Sequence, residues 1–395
     1  MNARPVHRPV AGSGVSSDLT RRHNLSTILE TLHHDGPQPR SRLTAQSGLN
    51  RSTVAALVAD LGRRGLVFES EPDPTNLVGR PSPTVHADPR NVAVAINPEV
   101  DAVTIGVVGL GGRVLKRIRY ETDHAPTAKE AVNISVAVFE GLRGELEAGG
   151  RVLGIGVAVP GLVRASDGLV RWAPHLDWTD EPIAAMLADA TGLAVSVGND
   201  ASLGALAERI YGAGRGMTDL IYLNGGASGI GGGVIANGLP LGGAGGYAGE
   251  FGHIRVDSTA GYNDPRTGSL EVEVTRASLL DALGLSSADA DQLETALLAS
   301  TDPAVTALVH RQLEFLSTSL RNAVNVLNPQ VIVLGGFLGS IFAADPEFLR
   351  ERVAAQSLGV SYECATIARA QLGSDLLMIG AAEMAFAAVL ADPAL

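Results

Sequence analysis

The chain has 395 residues but a single cysteine, Cys364. One thiol excludes an intrachain disulfide and any multi-cysteine metal site. Only 18% of residues are charged while 45% are hydrophobic, which excludes a disordered chain and supplies apolar material for two or three domains with their own cores. The N-terminus has no apolar stretch flanked by a cleavage site, and no uninterrupted apolar run looks long enough to span a bilayer. The expectation is a cytoplasmic protein without a membrane partner. Lysine is absent from residues 1–85, where ten arginines face seven acidic residues; the balance of +3 there leaves −15 for the rest of a chain of net charge −12. A nucleic-acid partner therefore belongs to the N-terminal part, because the acidic remainder would be repelled by phosphate backbones.

Glycine is what the chain has in excess. From Gly225 to His253 thirteen of twenty-nine residues are glycine, interleaved with Ile230, Val234 and Ile235. Asn237-Gly238 is the dipeptide that a tight hairpin turn requires, since both central residues need φ > 0. The stretch reads as strand, hairpin, strand and loop. Glycines ahead of the hairpin let backbone N–H groups approach an anion, and Gly249-Glu250-Phe251-Gly252-His253 then delivers a carboxylate and an imidazole to one place. A phosphate cradle beside a grip for polyol hydroxyls fits this pattern; a glycine-rich turn with a surface Glu and His is the alternative.

Residues 1–20 lack periodicity and read as a flexible tail. Leu25, Ile28, Leu29 and Leu32 recur at helical spacing from Arg22 to His34. A short helix over 41–47, the turn Gly48-Leu49 and a longer helix over 50–61 follow, with Asn50 as N-cap, which is helix-turn-helix spacing. An ordinary helical hairpin is the other reading. The first places Arg51, Ser52 and Thr53 at major-groove edges, with Arg40 and Arg42 as further DNA contacts. Strands near 66–69 and 83–86 form a wing whose tip carries Gly79-Arg80-Pro81, and Arg80 suits a narrow A·T-rich minor groove, or is simply a solvated loop Arg. Residues 21–88 are thus expected to be a winged helix-turn-helix, binding as a homodimer or dimer of dimers to an inverted-repeat operator.

Strands over 92–96, 102–108 and 114–118, a helix over 128–148 and a buried strand over 152–159 come next. Residues 220–242 repeat the beginning of this plan. Further helices are expected near 184–191, 201–211, 274–283, 304–326 and 380–390, the fourth serving as core or as a dimer surface.

Ser228-Gly229-Ile230-Gly231-Gly232-Gly233 with Gly249-Glu250-Phe251-Gly252-His253 resembles the signature of the ROK family, whose name joins repressors, open reading frames and sugar kinases. The runs 155–161, 198–201 and 331–336 match it in the same order. The resemblance implies a two-lobed α/β fold, the actin-like ATPase or sugar-kinase fold, with a first lobe of residues 89–198 plus 380–395 and a second lobe of 199–379. It also implies sugar binding by Gly161, Asn199, Asp200, Glu250, His253 and Glu271, with Asp200 as the base of the kinases. Ser228, Gly229, Gly231, Gly232, Gly335 and Gly336 match nucleotide-binding positions.

Three departures stand out. Asn97-Pro98-Glu99-Val100-Asp101 replaces the family's Asp-x-Gly-Gly-Thr, adding an acidic group and a proline where phosphate should be cradled. Tyr262, Asp264 and Ser269 replace three zinc thiolates, leaving His253 with one hard carboxylate, so no metal and no cofactor are expected. Gly198 stands where many relatives have Glu. The expectation is a carbohydrate-responsive repressor with a non-catalytic, kinase-like body that binds a sugar or sugar phosphate, Asp200 being a vestigial base. An active sugar kinase with an accessory DNA-binding domain, or a body that docks a partner protein, are the alternatives.

Overall fold

Leu25, Ile28, Leu29 and Leu32 are each 1% exposed or less along helix α1 (Ser17–His34) in the computed structural model, which describes residues 17–71, 82–226, 229–261, 264 and 266–394. Residues 17–20, expected in the tail, are part of this helix. Two units divide the chain, Met1–Asp88 with Ala387–Leu395 and Pro89–Phe386. In the first, α1 is followed by β1 (Gln38–Pro39), α2 (Arg40–Ser47), α3 (Arg51–Arg63), β2 (Val67–Ser70) and β3 (Thr84–Ala87). Gly48 takes φ +68° to turn α2 into α3, and Asn50 Oδ1 accepts the N–H of Thr53 at 2.8 Å to cap α3. Leu43, Val54, Leu57, Val58 and Leu61 face α1 from the two shorter helices, as their spacing requires. The strands form an antiparallel sheet of order β1-β3-β2. Strand β1 escaped the sequence reading because two residues ending in proline give no alternation. The segment carrying Gly79-Arg80-Pro81 lies outside the described residues.

The second unit is built from two sheets of one topology. The first contains β4 (Asn91–Pro98), β5 (Ala102–Gly109), β6 (Arg113–Glu121) and, after helix α4 (Ala128–Gly149), β7 (Arg151–Val159). Strands β8 (Leu162–Val163), β9 (Val170–Ala173) and β10 (Trp178–Glu181) make a small separate sheet before α5 (Ile183–Thr191), β11 (Val195–Asn199) and α6 (Asp200–Tyr211). The second large sheet begins with β12 (Leu220–Gly226), β13 (Gly229–Ala236) and β14 (Leu239–Pro240). Helices α7 (Leu270–Glu273), α8 (Arg276–Leu283), α9 (Ala290–Ala299) and α10 (Pro303–Leu327) precede β15 (Val331–Gly335), and α11 (Gly336–Ala344), α12 (Pro346–Gln356) and α13 (Gly359–Tyr362) precede β16 (Thr366–Arg369) and α14 (Leu376–Ala391).

The orders are β6-β5-β4-β7-β11 and β14-β13-β12-β15-β16. In each, the first strand is central, the next two fold back antiparallel, and two later strands add in parallel on the other side. The internal repeat read from the sequence is thus a repeat of topology. Asn237 at φ +51° and Gly238 at φ +78° make the expected hairpin turn between β13 and β14. Helix α10 is core on its inward face, where Leu313, Leu316 and Leu320 are fully buried.

One expectation changes at the end of the chain: residues 387–395, expected in the first lobe, group with the N-terminal unit. The helical segment Gly373–Ala391 is long and apolar enough by composition to cross a membrane, but Asp375 and Glu383 interrupt it, so it is not an uninterrupted apolar run. Half of that window is buried, with Ala381, Ala382 and Phe386 fully so, as in a core helix.

Candidate functional site

Strands β7 and β11 run parallel with Asn199 opposite Val159, which brings their carboxyl ends together, the edge at which α/β sheets assemble ligand sites. Asn199 ends β11 and caps α6, its Oδ1 accepting from Ser202 N at 2.9 Å. The amide's other end donates to Gly161 O at 3.1 Å and to Asp200 Oδ1 at 3.2 Å. Gly161 must be glycine for a local reason, since a Cβ would lie 2.5 Å from Trp172 O. Asp200 opens α6 and accepts the N–H of Ala201 at 2.8 Å. Burial pushes its carboxyl up to about 6, and the charge of Glu250 adds to the rise. Gly198 is packed in turn: a Cβ there would meet Met384 Sδ at 2.8 Å, so a larger residue would require the Met384 side chain to move.

The remaining groups come from the segment after the second hairpin. Phe251 anchors a short 3-10 turn, Phe251–His253, and is 6% exposed. His253 stands between two carboxylates, with Nε2 3.9 Å from Glu250 Oε2 and Nδ1 3.4 Å from Glu271 Oε1. Burial raises the Glu250 carboxyl above its usual range, the imidazole opposes that rise, and Glu271 adds to it. Asp200, Glu250, His253 and Glu271 therefore form one electrostatically linked cluster, joined to Gly161 through Asn199. Carboxylates, an amide and an imidazole offer paired donors and acceptors to vicinal hydroxyls.

The glycines of β13 make this convergence possible. A Cβ on Gly232 would lie 2.5 Å from Gly249 O, and one on Gly233 would lie 2.7 Å from Ala201 O. Gly229 at φ +128° places its backbone against Glu271, whose Oε2 a Cβ would meet at 3.0 Å. Gly231 faces Ala201 in the same way. Of the positions expected to bind nucleotide, Gly231 packs β13 on α6, Gly232 packs it on the Glu250 turn, and Gly229 faces Glu271 of α7. Ser228 lies outside the described residues. Gly335 and Gly336 line a cavity of about 660 Å³ between the two sheets, with Asn97, Glu99, Arg117 and Asn224.

The β4–β5 turn beside that cavity offers few backbone donors, and Arg117, Arg119 and Arg369 also line the cavity. Glu99 N donates to Ala102 O at 2.7 Å, closing a tight turn between β4 and β5, and Pro98 has no N–H to offer. The Glu99 carboxylate projects into the cavity, accepting from Thr104 Oγ1 at 2.6 Å, while Arg119 is bound to Asp101 at 2.8 Å. The same Arg119 guanidinium lies 3.8 Å from Glu99, so the turn's acidic group has a cation beside it.

The residues present do not fit zinc. Ser269 is buried, Asp264 is exposed, and the loop is tied by a cation of its own. Arg255 donates to the carbonyls of Asp257 at 3.1 Å, Ala260 and Gly261. Sequence reasoning missed Arg255, because nothing in its spacing marks an arginine whose partners are backbone carbonyls.

In the N-terminal unit Arg51 and Ser52 are exposed on the first turn of α3, Thr53 is half-buried beside them, and Arg42 is exposed on α2. Arg40 differs from expectation: its guanidinium is engaged fork to fork by Glu69 of β2, so it is less free for DNA than its sequence position suggests. Arg80 lies outside the described residues.

The model of the ROK family matches residues 93–388, well over half of the chain. The xylose repressor of Bacillus subtilis is 26% identical over 358 residues, 87% of this chain and 91% of its own. A glucokinase of Halalkalibacterium halodurans is 30% identical over 63% of this chain and 80% of its own. Among solved structures, a ROK family transcriptional regulator described as a homolog of the E. coli MLC protein superposes with TM-score 0.75 at 21% identity, covering 94% of this chain and 97% of that one. The ROK hexokinase of Thermus thermophilus gives TM-score 0.61 at 27% identity over 75% of this chain and 99% of that one. The chain belongs to the ROK family.

Proposed function

We infer that this protein is a sugar-responsive transcriptional repressor whose kinase-like body binds sugar without phosphorylating it. The observation that carries the reading is a contrast inside one unit. The hydroxyl-binding cluster of Asn199, Asp200, Glu250, His253 and Glu271 is assembled, while the β4–β5 turn that would hold phosphate is closed on itself with Glu99 facing the cavity. A base without a phosphoryl donor has no transfer to perform.

The N-terminal unit is the DNA-binding part, a winged helix-turn-helix in which α3 is the recognition helix and β2–β3 the wing. The capped N-terminus of α3 with exposed Arg51 and Ser52 supports this, as does the basic balance of residues 1–85. Arg80 is assigned to a flanking A·T-rich minor groove, and the chain acts as a homodimer or dimer of dimers on an inverted repeat. The relatives named xylose repressors make pentoses the first sugars to test.

The experiment has two arms on full-length protein. Selection from random-sequence DNA should yield an inverted repeat, and Arg51→Ala should cost about 1–3 kcal/mol and relax preference at one base position. A thermal-shift screen of sugars and sugar phosphates should yield a ligand that stabilises by roughly 2.7 kcal/mol at a hundredfold its Kd. Absence of any selected DNA, or ATP-dependent phosphorylation of the sugar found, contradicts the reading.

A further inference from the structure

The N-terminal unit contains residues from both ends of the chain, and two of its arginines join them. Asp60, on the inner side of α3 and 7% exposed, collects Arg21 of α1 at 2.6 Å, Arg63 at 3.2 Å and Arg64 Nε at 3.3 Å. Arg64, the C-cap of α3, turns its Nη1 to the carbonyl of Ala394 at 3.2 Å. Arg22 of α1 donates to Asp392 Oδ2 at 2.9 Å. The other oxygen of Asp392 accepts the N–H of Ala394 at 3.0 Å, fixing the carbonyl that Arg64 uses. Pro393 between them is buried, as is Leu390 one turn earlier.

We propose that residues 387–394 are a working part of the DNA-binding unit, in which Asp392 and the Ala394 carbonyl position α1 and α3 through Arg22 and Arg64. An exposed ion pair contributes little to stability, so the consequence to look for lies in DNA recognition, not in melting. Helix α3 has thirteen residues and is therefore about 20 Å long. Its far end carries Arg51, Ser52 and Thr53, and a small rotation about the Arg64 end displaces them by more than base-edge hydrogen bonds tolerate. Asp392 is a positioning residue in this account, touching no DNA.

The inference rests on reading this unit as the DNA-binding part. It is tested with full-length protein and a duplex selected from random-sequence DNA by the wild type. Asp392→Asn is expected to weaken binding three- to tenfold with its melting temperature unchanged. The slope of log Kd against log salt should also be unchanged, because no phosphate contact is lost. Asp392→Glu is expected to bind within about twofold of wild type. Equal affinity in Asp392→Asn overturns the proposal. So does tighter binding, which would mean that the tail withholds Arg22 and Arg64 from phosphates, and so does failure of Asp392→Glu to restore affinity. If the wild type selects no DNA at all, it is the DNA-binding reading of the unit that fails, and the clasp's role falls with it.

Discussion

Nδ1 of His253 lies 3.4 Å from Oε1 of Glu271. Through this contact the turn after the second hairpin and the start of α7, eighteen positions apart in the side chains they bring together, meet at one place. Glu250 lies on the other side of the imidazole, its Oε2 3.9 Å from Nε2, so each ring nitrogen has a carboxylate near it.

Asp200 is expected to make the stability of the ligand-free protein depend on pH. Its folded value of about 6 is raised above the unfolded value, so the stability it contributes is present below about pH 4 and is lost as pH rises through 6. Asp200→Asn is therefore expected to be about 2 kcal/mol more stable than wild type at pH 7, with the difference vanishing toward pH 4. Denaturation midpoints of the two proteins from pH 4 to 8 check this. Parallel curves would count against a desolvated, proton-binding Asp200.

Gly249 has φ +105°, and a Cβ there would meet Gly232 O at 2.4 Å. Gly249→Ala is expected to cost about 1–3 kcal/mol from strain and overpacking, and to abolish sugar binding by displacing Glu250 and His253. Selected-DNA affinity should persist. Chemical denaturation and a sugar titration of the variant measure both effects; intact sugar binding would show that the backbone approach between β13 and the turn is dispensable.

Arg255 holds the loop that leads to Glu271 through three backbone carbonyls. Arg255→Ala should weaken sugar binding by about 1–2 kcal/mol, the scale of losing hydrogen bonds to a charged group. Arg255→Lys should recover little, because a single ammonium cannot reproduce a guanidinium's spread of donors. Calorimetric titration with the sugar from the thermal screen decides, and wild-type affinity in Arg255→Ala would remove Arg255 from the account.

Phosphate transfer from ATP to any hexose or pentose is expected to be absent. A coupled assay that detects turnover, lost in Asp200→Asn, would restore the kinase reading.

The large elements were legible because their signals are local. Leu25, Ile28, Leu29 and Leu32 mark α1, and Asn237-Gly238 marks its hairpin. Other signals were present and unused: Asp289 and Gln292 form a reciprocal capping box that starts α9, and Asp345-Pro346 caps and opens α12. The positions proposed to bind sugar were legible by motif, but the packing of the β13 glycines was not. The contacts of Gly232 with Gly249 and of Gly233 with Ala201 join segments far apart in the chain, which no local pattern marks. Arg40 illustrates the same limit, since Glu69, its partner, lies twenty-nine positions away.

The central claim is that the cluster at Glu250 and His253 reads a sugar and reports it to DNA. By linkage, a sugar that lowers DNA affinity must bind the DNA-bound protein less tightly by the same factor. The direct measurement titrates the selected DNA duplex with wild type, Glu250→Ala and His253→Ala, each with and without the sugar identified by thermal shift. The account predicts that sugar weakens wild-type binding by about 1–3 kcal/mol, while both variants bind DNA as wild type does and ignore the sugar. Variants that still respond fully would place the effector site elsewhere and contradict it.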